Sequence, residues 1–240
     1  MTINPALFAA GGVCAAGGLF AWGALAPASQ IFGRTLRRLD DASRMAITFD
    51  DGPNPSVTPK VLELFERYDA KATFFLIGQR VRAFPGLARE IVERGHAIGN
   101  HTETHPSLTF LSAGRITEEL ESCDDAIVDA TGKRPRWMRP PFGYRSPLLD
   151  GIVRRRGGAG VAMWNVAARD WRTDSPEPVI QRLHRARGGD IVLLHDGDHR
   201  MPEGKRAHVL AALEYWLPRW RDAGIQFVKL DEAQLKTQAG

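Results

Sequence analysis

Short apolar runs alternate with segments of helical period along most of the chain, and this alternation limits the possible folds more than any other feature of the sequence. The apolar runs stand at residues 45–50, 72–78, 96–99, 137–139, 161–166, 190–195 and 226–230. Between them, residues 57–69, 85–94, 113–131, 147–156, 177–187 and 207–223 carry the spacing of amphipathic helices. A chain of this kind pairs its strands in parallel through right-handed crossovers. The runs are apolar at nearly every position, as strands are when both faces of a sheet are covered. The pattern therefore predicts an α/β fold, a distorted (β/α) barrel of about seven parallel strands rather than an open sheet. With 240 residues, 43% of them hydrophobic, the chain has the apolar surface for such a core.

Side chains that ionise or bind metal recur at the C-terminal ends of these runs. Asp50 and Asp51 close the first run in ITFDDGP, and His101 and His105 follow the third in GNHTETHP. Arg139 closes the fourth in RPPFG, Asp170 follows the fifth in RDW, and His195 closes the sixth in IVLLHDG. Such groups are costly beside buried strands unless something pairs with them. In parallel α/β architectures this edge is where loops converge, so the five segments are expected to build one polar site.

Two histidines four apart project to one side if the loop after the third strand continues into one helical turn. A carboxylate from Asp50 or Asp51 then completes a two-histidine, one-carboxylate face with open positions. That donor set serves Zn²⁺ in hydrolysis and Fe²⁺ in oxygen chemistry alike. Successive strand residues point to opposite faces, but at a strand end turning into Gly52-Pro53 both carboxylates can enter the opening. One would hold the metal and the other would take a proton from the attacking water. The alternative for Asp51 is an Asx-type turn, for His195 a core histidine, and for Asp170 and Trp171 an ordinary loop acid and core filling.

From residue 44 to residue 230 the order of these motifs resembles the polysaccharide deacetylases of carbohydrate esterase family 4, the NodB-homology fold. The resemblance implies a distorted (β/α) barrel and metal-dependent removal of an acetyl group from a sugar. It implies that Asp50 is the general base, that Asp51, His101 and His105 are the metal ligands, and that Arg139 holds Asp50 in place. The backbone amide of Phe142 would help stabilise the oxyanion. His195 would protonate the leaving amine, with Asp170 pairing to raise its pKa, and Trp171 and Leu193 would line the pocket for the acetyl methyl. The metal implied is Zn²⁺, with Co, Ni, Mn or Fe as alternatives. Amide hydrolysis needs an activated water, a stabilised oxyanion and a protonated leaving group, and this residue set supplies all three. Two positions depart from the family pattern: Ala167 stands where a second acid is often found before Asp-Trp, and Phe142 replaces a frequent Tyr. His96, His184, His199 and His208 match no motif and read as structural or surface residues.

Residues 2–33 contain no Asp, Glu, Lys, Arg or His, and residues 6–26 form an apolar run about long enough to span a bilayer. The segment at 1–33 thus reads as a membrane anchor or a signal segment, and 44–235 as the catalytic domain. A basic n-region is lacking, and Pro27 follows the small-x-small triplet Ala24-Leu25-Ala26, which favours the uncleaved anchor, with a cut after Ala28 as the rival. The expected partners are a membrane and an N-acetylated glycan such as peptidoglycan, met by a catalytic domain outside the cytoplasm. Arg34, Arg37 and Arg38 follow the apolar run, however, and by the positive-inside tendency support the cytoplasmic side and a lipid-linked N-acyl sugar. A net charge of +4, with basic residues scattered through helical segments and no aromatic-rich motif among them, gives no nucleic-acid site. Cys14 and Cys123, the two cysteines, offer neither a disulfide framework nor a thiolate metal site. A sugar-binding module without activity and an Fe²⁺ oxygenase are the competing classes. The first should have lost a catalytic Asp or His, and the second leaves His195 and the Arg139–Asp50 pairing without a purpose. Oligomeric state is not legible in the sequence.

Overall fold

The computed structural model describes residues 16–233. Met45 to Asp50 are all almost completely buried, as the unbroken apolar run requires, and they form the heart of the longest strand. The strands are β1 (Thr35–Leu36), β2 (Arg44–Gly52), β3 (Ala72–Leu76), β4 (Ala97–Asn100), β5 (Trp137–Met138), β6 (Gly160–Ala162), β7 (Val166–Ala167), β8 (Ile191–His195) and β9 (Gln226–Phe227). The helices are α1 (residues 16–25), α2 (Thr58–Arg67), α3 (Gly78–Ala83), α4 (Pro85–Glu93), α5 (Ala113–Thr131), α6 (Leu149–Arg155), α7 (Pro176–Leu183), α8 (Ala207–Asp222) and α9 (Leu230–Ala233).

The strands pair in parallel in the order β1-β6-β5-β4-β3-β2-β8-β7, with β9 added beside the start of β2. The sheet curls, and residues 163–165 bring its two edges together. The Met163 amide donates to Leu36 O at 2.8 Å beside β1, and the Asn165 amide donates to Ile191 O at 3.2 Å beside β8. Nine strands replace the expected seven because the run at 161–166 breaks at this bend and because β1 is a two-residue strand with no periodicity to announce it. β1 and the Arg38–Asp190 ion pair at 2.7 Å seat residues 35–38 on the barrel, ahead of the expected boundary at 44. The expected apolar helix at 6–26 is visible only in part. Residues 6–15 lie outside the described residues, 16–25 are helical, and among the described residues no helix is long and apolar enough to cross a membrane.

Helices cover the sheet as the amphipathic pattern demands. α5 is capped by the Ser112 hydroxyl, which accepts from the Arg115 amide at 3.3 Å, and it ends at Gly132 in the left-handed conformation (φ 69°). Its buried face carries Leu120, Cys123 and Ile127. The main core stacks Phe49 on Phe74 at 5.0 Å, with the Phe65 ring edge-on to Phe49 at 5.6 Å. Truncating one of these rings to Ala would cost about 3–5 kcal/mol, so the strand that ends in Asp50 and Asp51 is firmly seated.

Candidate active site

Asp50 and Asp51 both reach the opening because the β2 ladder is irregular there. Asp50 pairs with Phe75 of β3 while Gly52, two residues on, pairs with Leu76, so Asp51 is the extra residue of a bulge and takes φ 71°. A side chain on Gly52 would meet the Asp196 carboxylate at 2.5 Å, so only glycine lets the chain turn here. Arg139, wholly buried, donates from Nη1 to Asp50 Oδ1 at 2.8 Å and to Thr48 Oγ1 at 2.7 Å. Its remaining nitrogens donate to Ala162 O at 3.1 Å and Met163 O at 3.0 Å. Every nitrogen of the guanidinium is thus engaged, and it fixes one carboxylate oxygen of Asp50.

The histidine loop is not the helical turn expected from the four-residue spacing. Thr102 and His105 adopt positive φ (69° and 60°), and the loop takes its shape from α5. The Asn100 amide group donates to Leu120 O (2.8 Å) and Asp124 Oδ1 (2.7 Å), and its Oδ1 accepts from the Thr102 amide (2.8 Å). Glu119, buried on α5, accepts from the Thr104 amide and hydroxyl. Held in this way, the two imidazoles still converge, with ring centroids 4.9 Å apart. The α5 contacts supply the convergence that a helical turn was expected to supply.

Asp51 Oδ1, His101 Nε2 and His105 Nε2 meet at one point. The carboxylate oxygen lies 3.4 Å from His101 and 3.2 Å from His105, and it is buried without a hydrogen bond. His101 Nδ1 is 2.7 Å from Arg139 O, which can only accept, so Nδ1 carries the proton and Nε2 presents a lone pair. Lone pairs facing one another are stable only around a cation, and this buried Asp-His-His group fits a divalent metal. The pKa of His105 is lowered, chiefly by burial, which favours the neutral ligating form.

On the other side of the opening, His195 Nδ1 lies 3.0 Å from Asp170 Oδ1, and the His195 amide donates to Asp170 Oδ2 at 3.0 Å. The pairing is present although position 167 is Ala. Burial disfavours the imidazolium, yet Asp170 outweighs it and the His195 pKa is raised to about 9. Trp171 packs edge-on against His195 at 5.1 Å and remains 45% exposed. A cleft of about 430 Å³ brings together every expected site residue except Arg139 and Asp170, which are buried behind it.

His199 was expected to be structural or on the surface and is neither. It lines the cleft, stacks on His105 at 4.4 Å and approaches Asp51 Oδ2 at 3.6 Å. No spacing signals it, because the fold of the loop after β8 brings it there. His96 and His208 are structural as expected. His96 Nδ1 accepts from the Ala72 amide at 3.1 Å, with burial lowering its pKa to about 4, and His208 Nε2 donates to Asp170 O at 3.1 Å.

Residues 38–159 match the family model described as polysaccharide deacetylase. A chitooligosaccharide deacetylase of Azorhizobium caulinodans is 37% identical over 206 residues, which cover 81% of this chain and 96% of that protein. A peptidoglycan-N-acetylglucosamine deacetylase of Bacillus cereus is 36% identical over 196 residues, 78% of this chain and 86% of that one. Among solved structures, a mutant of BA3943, a CE4 family pseudoenzyme from Bacillus anthracis, with restored enzymatic activity, matches with a TM-score of 0.75 at 28% identity, covering 83% of this chain and 71% of that one. A pseudoenzyme can share this fold, so the residues in the cleft carry the chemistry. By sequence, architecture and the groups gathered in that cleft, the chain belongs to the polysaccharide deacetylase family.

Proposed function

We propose that this protein is a metal-dependent hydrolase that removes N-acetyl groups from an amino-sugar polymer, peptidoglycan or another cell-surface glycan. The observation that carries the reading is the convergence, in one cleft, of Asp50, the Asp51-His101-His105 group and a His195 held by Asp170. The names of the relatives, one for chitooligosaccharides and one for peptidoglycan, support the substrate class.

Asp51, His101 and His105 would hold the metal, with zinc the best match to the donors and Co, Ni, Mn or Fe as alternatives. When bound, such an ion supplies Lewis acidity toward the acyl carbonyl and makes water more acidic. Asp50, steered by Arg139, takes a proton from water as its oxygen attacks the acetyl carbon. The Phe142 amide donates to the oxyanion that develops. His195 delivers its Nε2 proton to the amine nitrogen as the C–N bond breaks, and acetate and the free amino sugar leave. Leu193 and Trp171 wall the space for the methyl group.

The enzyme is placed at the membrane through residues 6–26, with the catalytic domain facing the wall. The charges Arg34, Arg37 and Arg38 favour a second arrangement, on the cytoplasmic face with a lipid-linked N-acyl sugar. Protease added to spheroplasts separates the two, since only an outward domain is cut. The activity is tested by stripping metal from the protein, titrating zinc back and measuring acetate from N-acetyl chitooligosaccharides and from muropeptides. Zinc-dependent release is expected. Zinc binding without acetate from any N-acetylated glycan would overturn the proposal.

A further inference from the structure

Two of the largest fully buried side chains in the described structure, Arg139 and Arg145, stand at the two ends of the turn that walls the cleft. Arg139 is tied to Asp50. Arg145 is tied to the N-terminal segment: its Nη2 donates to the carbonyls of Gly23 (3.2 Å), Ala26 (3.4 Å) and Ser29 (2.6 Å), and its backbone amide donates to Ala24 O (2.9 Å). These acceptors are the end of α1 and the turn after it. The last carbonyls of a helix lack intrahelical donors, and here the i+4 partner of Gly23 is Pro27, which has no N–H. A buried cation takes that role and also complements the negative end of the helix.

The turn between the arginines needs such support. Phe142 and Gly143 both have left-handed φ (59° and 70°), and a Cβ on Gly143 would meet the Trp164 ring at 2.6 Å. Phe142 holds its ring against His105 at 4.7 Å and His199 at 5.4 Å. Resting on the reading that this turn is a wall of the substrate site, we infer that residues 23–29 are a retained part of the catalytic unit. Arg145 is then the positioning residue that couples them to the Phe142 turn. A cut after Ala26 or Ala28 would remove every acceptor but Ser29. It would strand a buried guanidinium whose Nε and Nη1 already have no partner, at a cost that buried unpaired charge makes large. Residues 23–29 are therefore a strut of the active site.

The test compares the detergent-solubilised full chain with a chain starting at Ser29, Arg145→Met and Arg145→Lys. KM and kcat on an N-acetyl chitooligosaccharide, zinc affinity by calorimetry and hydrogen exchange at Gly143 and Tyr144 are read for each. The short chain and Arg145→Met should raise KM on the order of tenfold, lose protection at those two amides and keep their zinc affinity, with Arg145→Lys in between. If Arg145→Met does not fold, Arg145→Lys and the short chain carry the same comparison. Unchanged KM and protection in the short chain would overturn the inference, as would active native protein whose intact mass begins at Pro27 or Ser29. A full chain that binds zinc yet releases no acetate would count against the proposed activity instead, leaving the exchange data to decide the strut.

Discussion

Asp50 and His195 are register partners on the adjacent parallel strands β2 and β8. The proposed base and acid therefore start one strand spacing apart, about 4.8 Å, at the same edge of the sheet. Each has a buried partner of opposite charge behind it, Arg139 at 2.8 Å and Asp170 at 3.0 Å. The ladder brings the two groups together, and the partners behind keep them apart in chemistry.

Asp50→Asn should retain zinc and lower turnover by on the order of a hundredfold or more, because general-base assistance is lost. Asp51→Asn and His105→Ala should instead weaken zinc binding itself. Calorimetry beside acetate release separates the two defects, and equal zinc loss in all three variants would refute the division of roles.

The working form of His195 is protonated, and its pKa is raised to about 9. Activity should accordingly persist through neutral pH and fall as pH rises past about 9. The same pairing adds to stability, fully below the ordinary histidine value of about 6.5, and is lost as pH climbs through 9. In His195→Ala the alkaline limb should vanish, and amide substrates should slow more than activated acetate esters, whose leaving groups need no proton. Equal slowing of both would refute the assignment.

His199 fixes Asp51 and His105 from the open side of the cleft. His199→Ala should weaken zinc binding roughly tenfold, as loss of an outer-shell partner does, with the melting temperature of the metal-free protein little changed. Wild-type zinc affinity in this variant would show that the stacking is incidental.

Burial pushes the Asp196 carboxyl up to about 7, against the hydrogen bond it accepts from Thr58. The fold thus favours its protonated form: this contribution to stability is complete below the unfolded value of about 3.9 and declines as pH rises to about 7. In metal-free protein, Asp196→Asn should be more stable than wild type by about 2 kcal/mol at pH 8 and equal near pH 3.5. Denaturant melts at the two pH values check this, and a parallel loss at both would contradict it.

The alternating pattern carried the curled parallel α/β sheet and the edge on which the site lies, because burial on both faces leaves a continuous apolar run and parallel connections leave polar residues at one end. The ends of those runs carry Asp50, Asp51, His101, His105, Arg139 and His195, so these candidates are legible in the sequence. The two-residue strand β1 left no trace, since so short a stretch is held by its neighbours and not by its own pattern.

What the sequence determined alone is therefore what local periodicity encodes: which residues end strands, and which of them can ionise or bind metal. The tertiary structure decided the rest. It made Asp51 the bulged residue facing two histidines, shaped the 101–105 loop from α5 in place of a helical turn, carried His199 over the site, and set Arg145 under the end of α1. Each of these depends on partners 15 to 148 residues away in sequence. Contacts at such separations satisfy buried polar groups only once the whole chain is folded, so no window of the sequence can show them.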